Sequence, residues 1–183
     1  KEMDSWGVTD IFWTMEMPLI PVVHEMMQHG LLLDEAQQKR SSAALAERLA
    51  DLEGQVWLAA GMAFNVASPQ QVGHVLFERL GIPPVRDRRG RVRLTAAGTW
   101  STDEHEVLME LLDAHPIVPL ILDYRGVAKL KGTYVDAYPS FVHPDGRVRT
   151  TLKLTRTVTG RLSSASPNMQ NVPTRTERGA MLR

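Results

Sequence analysis

Residues 155–173 read TRTVTGRLSSASPNMQNVP. The stretch gathers Arg161, the turn formers Gly160 and Pro167, the serine pair Ser163-Ser164 and the amides Asn168, Gln170 and Asn171 into a span too polar for a core. Glycine, serine, proline and asparagine are the commonest turn residues, so the local reading is a surface loop. A loop that places several amides beside an arginine is also equipped to contact a polar partner, because each amide carries donors and an acceptor.

Upstream, Pro144-Asp145-Gly146 forms a turn, and between Arg147 and Thr155 the residues Val148, Thr150, Leu152 and Leu154 alternate with Arg149, Thr151 and Lys153. A period of two predicts a strand with one buried face and one basic face. Before residue 140 the periodicity is helical. The chain is therefore predicted to be mainly α with a small antiparallel β-sheet, an α+β arrangement whose domain boundary follows Tyr138-Pro139.

The helical part reads in order. Residues 5–29 predict a helix, with Pro18 and Pro21 as candidate break points, Met15, Leu19, Val22, Val23, Met26 and Met27 as its apolar side and Gly30 as its stop. Asp34 is a good N-cap for a long helix to about Ala60, where Leu45, Leu49, Leu52, Val56 and Ala59 form one seam. Such a helix is roughly 40 Å long and reads as an arm, with Gly54 a soft spot and Gly61 the end. Ser68-Pro69 opens the next helix, the serine as cap and the proline in the first turn. A basic loop at 84–98, with five arginines from Arg86 to Arg93, is expected to be mobile and suited to gripping phosphates without reading sequence. Ser101 with Glu104 predicts a capping box for another helix. A helix from Ile117 to Leu130 then puts Arg125, Lys129 and Lys131 along one exposed edge.

Composition bounds the rest. The chain has no cysteine, which removes disulfides and thiolate chemistry and points to the cytoplasm. No apolar run reaches the roughly 20 residues of a membrane span, and KEMDSWGVTD lacks a signal-peptide pattern, so no membrane partner is expected. The net charge of zero conceals an asymmetry: residues 1–60 hold 4 basic and 10 acidic side chains, whereas residues 146–183 hold 8 basic and one acidic, Glu177. The basic end suits a polyanion. His24 and His29, five apart, do not share a helix face and are not read as a metal pair.

Thr159-Gly160-Arg161-Leu162-Ser163-Ser164, with Pro167-Asn168-Met169-Gln170-Asn171-Val172-Pro173 and then Arg175 and Gly179, resembles the TGRLSS and PNLQNIP signature of family A (DNA polymerase I type) DNA polymerases. Glu16-Met17-Pro18-Leu19, Gly30, Phe64-Asn65, Ser68-Pro69, Val75-Leu76-Phe77, Ser101-Thr102, Tyr124-Arg125 and Lys129-Leu130-Lys131 resemble the same family in the same order. An ordered set of this length is far more specific than any dipeptide within it.

The resemblance implies a lead-in helix at 1–15, a thumb at 16–138 carrying the loop 84–98, and the N-terminal edge of a palm at 139–183. It further implies a primer–template duplex as partner, with Arg125, Lys129 and Lys131 near its backbone and Ser68, Ser101 and Thr102 near phosphates. An arginine suits Arg161's position, because purine N3 and pyrimidine O2 are minor-groove acceptors on every correct pair and reading them tests geometry without sequence. Asn168, Gln170 and Asn171 suit base edges and sugars, while Arg149 and Lys153 suit phosphates.

Polymerase phosphoryl transfer uses two metal ions clamped by aspartates. By the resemblance the parent enzyme uses two Mg ions, and its aspartate strand and fingers helix would follow Arg183; Asp123-Tyr124, in a leucine-rich helix, is not the catalytic aspartate. No exonuclease-like carboxylate cluster precedes the thumb. The chain alone is therefore expected to bind primer–template duplex weakly, to hold no metal or other cofactor, and to add no nucleotides. Its further partners would be the remaining palm and fingers, or a second copy through the open palm edge. The alternative is a non-catalytic DNA-binding or interaction module with a polymerase-like thumb.

Overall fold

A computed structural model describes residues 2–172, so Pro173, Arg175, Glu177 and Gly179 of the sequence reading lie outside the described residues. Two compact units are present: Ser42–Thr133 is one, and the residues up to Ser41 join those from Tyr134 onward in the other. This division differs from the one drawn at residue 140. Residues 16–41 group with the strands because Leu31–Leu32 (β1) pairs antiparallel with Arg147–Val148 (β2), an attachment that no local pattern announces.

The helical unit is built on the seam foreseen for the long helix. Glu35–Ala60 is one unbroken helix begun by Asp34, whose Oδ1 accepts the Gln37 N–H at 2.8 Å, and Leu52 and Val56 on the seam are fully buried. Gly54 lies within this helix without interrupting it, and Gly61, at φ +69°, follows its end. Val56 packs with Val66, Val72, Val75, Leu76, Val107, Leu108, Ile117, Val118 and Ile121. Burying branched aliphatics of this kind is worth about 1.5–3 kcal/mol per side chain, which makes this core the main stabilising element of the unit. Ser68 caps Pro69–Gly73 by accepting the Gln71 N–H at 3.4 Å, as its sequence predicts.

Two expectations for this unit are corrected. The helix after residue 100 is capped by Asp103, whose carboxylate accepts the His105 and Glu106 N–H groups at 2.9 and 2.8 Å; Ser101 lies before it, and its hydroxyl accepts only the Asp103 N–H at 3.4 Å. The arginine-rich segment is organised rather than a loose loop. Asp87 Oδ1 accepts the N–H groups of Arg89 and Arg91, the Asp87 carboxylate pairs with the Arg91 guanidinium, and bridges Arg86↔Val92 and Leu94↔Trp100 close two successive hairpins. An aspartate satisfying the turn it begins converts a flexible basic run into a fixed one.

The other unit carries the strands. Its helical rod runs from residue 9 to residue 29, passing through Pro18 and Pro21 without a break, after a wide π-type turn at Phe12–Glu16. Gly30 ends the rod at φ +63°, where a Cβ would lie 2.6 Å from the Val148 carbonyl oxygen. The predicted strand 147–155 is two: β2 pairs with β1, and Thr151–Lys153 (β3) pairs antiparallel with Ser163–Ala165 (β4) in the register Leu152↔Ser164. The change of partner falls at Arg149 and Thr150. There Arg149 turns back to the Gln28 carbonyl at 2.7 Å, and the Thr150 hydroxyl donates to the carbonyls of Ala165 and Pro167.

Candidate nucleic-acid interface

The sequence 157–171 folds back on itself to make an open groove. Thr157, Arg161, Leu162, Ser163, Ser164, Asn168, Gln170 and Asn171 line about 740 Å³, and Arg161 and all three amide residues are exposed. The structure thus brings together the four residues that the sequence singles out in this stretch. Gly160, at φ +71°, supplies the left-handed corner ahead of Arg161.

What holds the amides is a buried serine. Ser164 in β4 is 7% exposed; its hydroxyl donates to Asn168 Oδ1 at 3.0 Å and accepts the N–H groups of Met169 and Gln170 at 3.1 and 3.2 Å. Asn168 Oδ1 also accepts the Gln170 N–H at 3.2 Å. The acceptor end of Asn168 is therefore spent on the turn, which leaves its NH2 as the group for a partner. Tyr134, from the same unit, donates to the Asn171 carbonyl at 2.6 Å and fixes the far end of the turn. Ser164, Thr150 and Tyr134 support this turn, a task that the sequence analysis assigns to none of them. Only Thr150 has a local signal, a hydroxyl on the inward face of the predicted alternation.

The basic residues proposed for phosphates divide. Arg149 forms a two-pronged pair with Asp145, its Nη1 and Nη2 at 3.1 and 2.5 Å from the carboxylate oxygens, besides its bond to Gln28, so its charge is already matched. That guanidinium holds the Asp145 carboxyl at about 2, well below its ordinary value. Lys153 sits half-buried in β3, opposite Ser163.

In the helical unit Arg125 is not on the exposed edge expected for it. Its guanidinium is half-buried and donates to the Thr102 carbonyl and, at 2.9 Å, to the Thr102 hydroxyl. Burial lowers its pKa from the ordinary value, opposed by Glu104 and Asp103. Thr102, 5% exposed, is the buried half of this contact, so the pair braces the unit internally. Lys131 donates to Ser42 Oγ at 3.0 Å, whereas Lys129 is exposed. Of the loop arginines, Arg86 donates to the Gly90 carbonyl, Arg91 pairs with Asp87, and Arg93 pairs with Glu106. Arg88 and Arg89 project at the tip of the first hairpin with exposed side chains.

Among the described residues no three His, Cys, Asp or Glu side chains come together in a group that could hold a metal ion. Among the described residues no helix is long and apolar enough to cross a membrane.

A helical unit and a unit of paired β-ribbons with an arginine-and-amide groove define an α+β architecture shared with polymerase domains. Over its full length the chain superposes with a TM-score of 0.81, at 31% identity, on 31% of the POL domain of Pol1 from M. smegmatis, solved in complex with DNA primer-template and dNTP. The profile of DNA polymerase family A matches residues 35–183, and the chain belongs to that family. It is 41% identical over 97% of its length to DNA polymerase I of Rhizobium leguminosarum, and 41% identical over 94% to the thermostable DNA polymerase I of Thermus aquaticus. It covers 17% and 20% of those two proteins, so the chain spans about a fifth of the length of the curated relatives it matches.

Proposed function

We propose that this chain is the duplex-holding part of a cytoplasmic DNA-directed DNA polymerase, the whole of which extends a primer by template-directed nucleotidyl transfer. In this reading residues 16–138 serve as the thumb, with Ser42–Thr133 as its compact body, and residues 139–183 as the palm edge. The observation that carries it is the groove that gathers Arg161, Asn168, Gln170 and Asn171 on one exposed surface. An arginine and amide NH2 groups meet the acceptors that every base pair offers in the minor groove, which is how an enzyme grips a duplex without preferring a sequence. The M. smegmatis relative was solved with a primer-template, which supports the same partner.

In this reading phosphoryl transfer, which magnesium ions held by aspartates would support, belongs to the longer polypeptide, and the 183-residue chain binds without adding nucleotides. The remaining palm and fingers are the partner for the exposed apolar residues of the rod, among them Trp13 and Met26 at 58% and 53% exposure. In the isolated chain, self-association takes their place.

The test is fluorescence anisotropy of a labelled primer–template at low salt, set beside a magnesium-dependent primer-extension assay. Binding that weakens at least tenfold in Arg161→Ala, with no extension by the purified chain, is expected. Equal binding by the two proteins removes the groove from the function, and extension by the chain alone overturns the assignment of chemistry elsewhere.

A further inference from the structure

The two hairpins between residues 84 and 100 join the helical core through Val85 and meet the neighbouring helical segment again at a surface contact. Trp100 Nε1 donates to Glu78 Oε1 at 2.8 Å, and Glu78 Oε2 lies 2.9 Å from His74 Nδ1, so one carboxylate holds an indole on one side and an imidazole on the other. The Trp100 ring lies 5.1 Å, centroid to centroid, from Phe77. Beneath it is Gly73, where a Cβ would come 2.8 Å from the Trp100 Cβ; only glycine lets the strand lie this close to the helix. Trp100 is also bridged to Leu94, on the strand the two hairpins share. Trp100 is thus joined through that strand to the first hairpin, whose tip carries Arg88 and Arg89.

The contact has the character of a latch rather than of core. His74 and Glu78 side chains are 53% and 50% exposed, and exposed hydrogen bonds contribute little net stability because water competes for both groups. What such a bond sets well is orientation. Three of the five loop arginines are spent on Gly90, Asp87 and Glu106, so the charge left for a partner is concentrated at the tip.

We propose that Glu78 and Trp100 are positioning residues for duplex binding, fixing the double hairpin so that Arg88 and Arg89 meet phosphates as an ordered pair. The inference rests on the duplex-holding role proposed above. Neither residue touches the duplex in this account; each acts through the arginines.

The test compares wild type, Trp100→Phe, Glu78→Ala, Glu78→Gln and Arg88→Ala/Arg89→Ala. Each is titrated with labelled primer–template across a range of salt, and amide exchange of residues 86–100 is followed without DNA. Trp100→Phe keeps the ring on Phe77 and loses only the N–H donor; Glu78→Gln keeps an acceptor. Trp100→Phe and Glu78→Ala are expected to speed exchange in the hairpins and weaken binding roughly threefold to tenfold. Loss of two phosphate contacts lowers the salt slope by about 2 in the arginine double variant, and the latch variants are expected to lose about 1 to 2. Glu78→Gln should stay near wild type in both measurements. Adding Trp100→Phe to the arginine double variant should cost little more, since both remove the same contact. Unchanged exchange in Trp100→Phe and Glu78→Ala overturns the latch, and an undiminished loss of affinity in the Arg88→Ala/Arg89→Ala background overturns its route through Arg88 and Arg89. Failure of wild type to bind duplex strikes the functional reading instead, and the exchange measurement still decides whether the latch exists.

Discussion

The Ser164 hydroxyl donates to Asn168 Oδ1 at 3.0 Å and accepts the Met169 and Gln170 N–H groups at 3.1 and 3.2 Å, so one buried oxygen shapes the whole amide turn. Ser164→Ala leaves the Met169 N–H without its acceptor and the Gln170 N–H with Asn168 Oδ1 alone, around a residue that is 7% exposed. An unsatisfied buried polar group costs about 1–3 kcal/mol, and the variant is expected to lose that much stability in urea unfolding, with faster amide exchange at Met169 and Gln170. Exchange at those two amides equal to wild type would refute the assignment.

Arg125 and Lys129 lie one helical turn apart and should behave oppositely. Arg125→Ala strips Thr102 of its carbonyl and hydroxyl partners and is expected to lower stability by about 1.5–3 kcal/mol, the range for hydrogen bonds to a charged group. Lys129→Ala removes an exposed charge, leaves stability within about 0.5 kcal/mol, and under the duplex reading lowers the salt slope of binding by about 0.9. Thermal melts with salt-dependent anisotropy separate the two. A stable Arg125→Ala with a reduced slope would return Arg125 to the surface role read from the sequence.

That contrast shows what the sequence made legible. The Asp34 cap, the Leu52 and Val56 seam, the Ser68 cap and the helix Ile117–Leu130 all follow from neighbours within a turn or two, and each is present. The polar loop of Gly160, Arg161 and the amides was equally readable, but its closure into a groove was not, since Tyr134 holds Asn171 from 37 residues away. Arg125 was misplaced because its partner Thr102 is 23 residues away, and the bond from Arg149 to Gln28 was hidden by a separation of 121 residues, whereas its pairing with Asp145 lies within four. Periodicity says which side of a helix is apolar; it does not say that a long cation on its border will bend inward to a distant carbonyl. The shift of the cap from Ser101 to Asp103 has a local cause: both can accept, and the carboxylate takes two N–H groups where the hydroxyl takes one.

The Asp145–Arg149 pair predicts a specific acid sensitivity. The folded-state pKa of Asp145 is depressed from 3.8 to about 2, so its stabilising contribution is present above about 3.8 and is lost as pH falls through about 2. Melting temperatures of wild type and Asp145→Asn, compared from pH 5 to pH 2, are expected to differ most at pH 5 and to converge toward pH 2. A constant gap over that window would show that the pair does not titrate as described.

Gly30 joins the helical rod to β1 in a conformation closed to other residues. At φ +63° a side chain costs on the order of 1–3 kcal/mol from the backbone alone, and here the added Cβ would also meet the Val148 carbonyl oxygen at 2.6 Å. Gly30→Ala is expected to lose more than that range in chemical denaturation and to release the β1–β2 amides to exchange, while the core around Val56 and Ile121 stays protected. Uniform loss of protection in both units would argue that they do not unfold separately.

Asn168 offers a way to separate the turn from its partner. Its Oδ1 is committed to Ser164 and Gln170, and its NH2 is the group left to a ligand. Asn168→Asp keeps both acceptor contacts, since a carboxylate oxygen takes the place of Oδ1, but it replaces the outward donor with a negative charge. Stability should therefore remain within about 1 kcal/mol of wild type, the usual net worth of one hydrogen bond. Binding to primer–template at low salt should fall at least tenfold, or about 1.4 kcal/mol, because the NH2 is lost and an anion faces the phosphates. Asn168→Ala loses the turn contacts as well and should weaken both. If Asn168→Asp binds as wild type does, the amide faces no duplex, and the groove's contact with DNA would have to run through Arg161 without it.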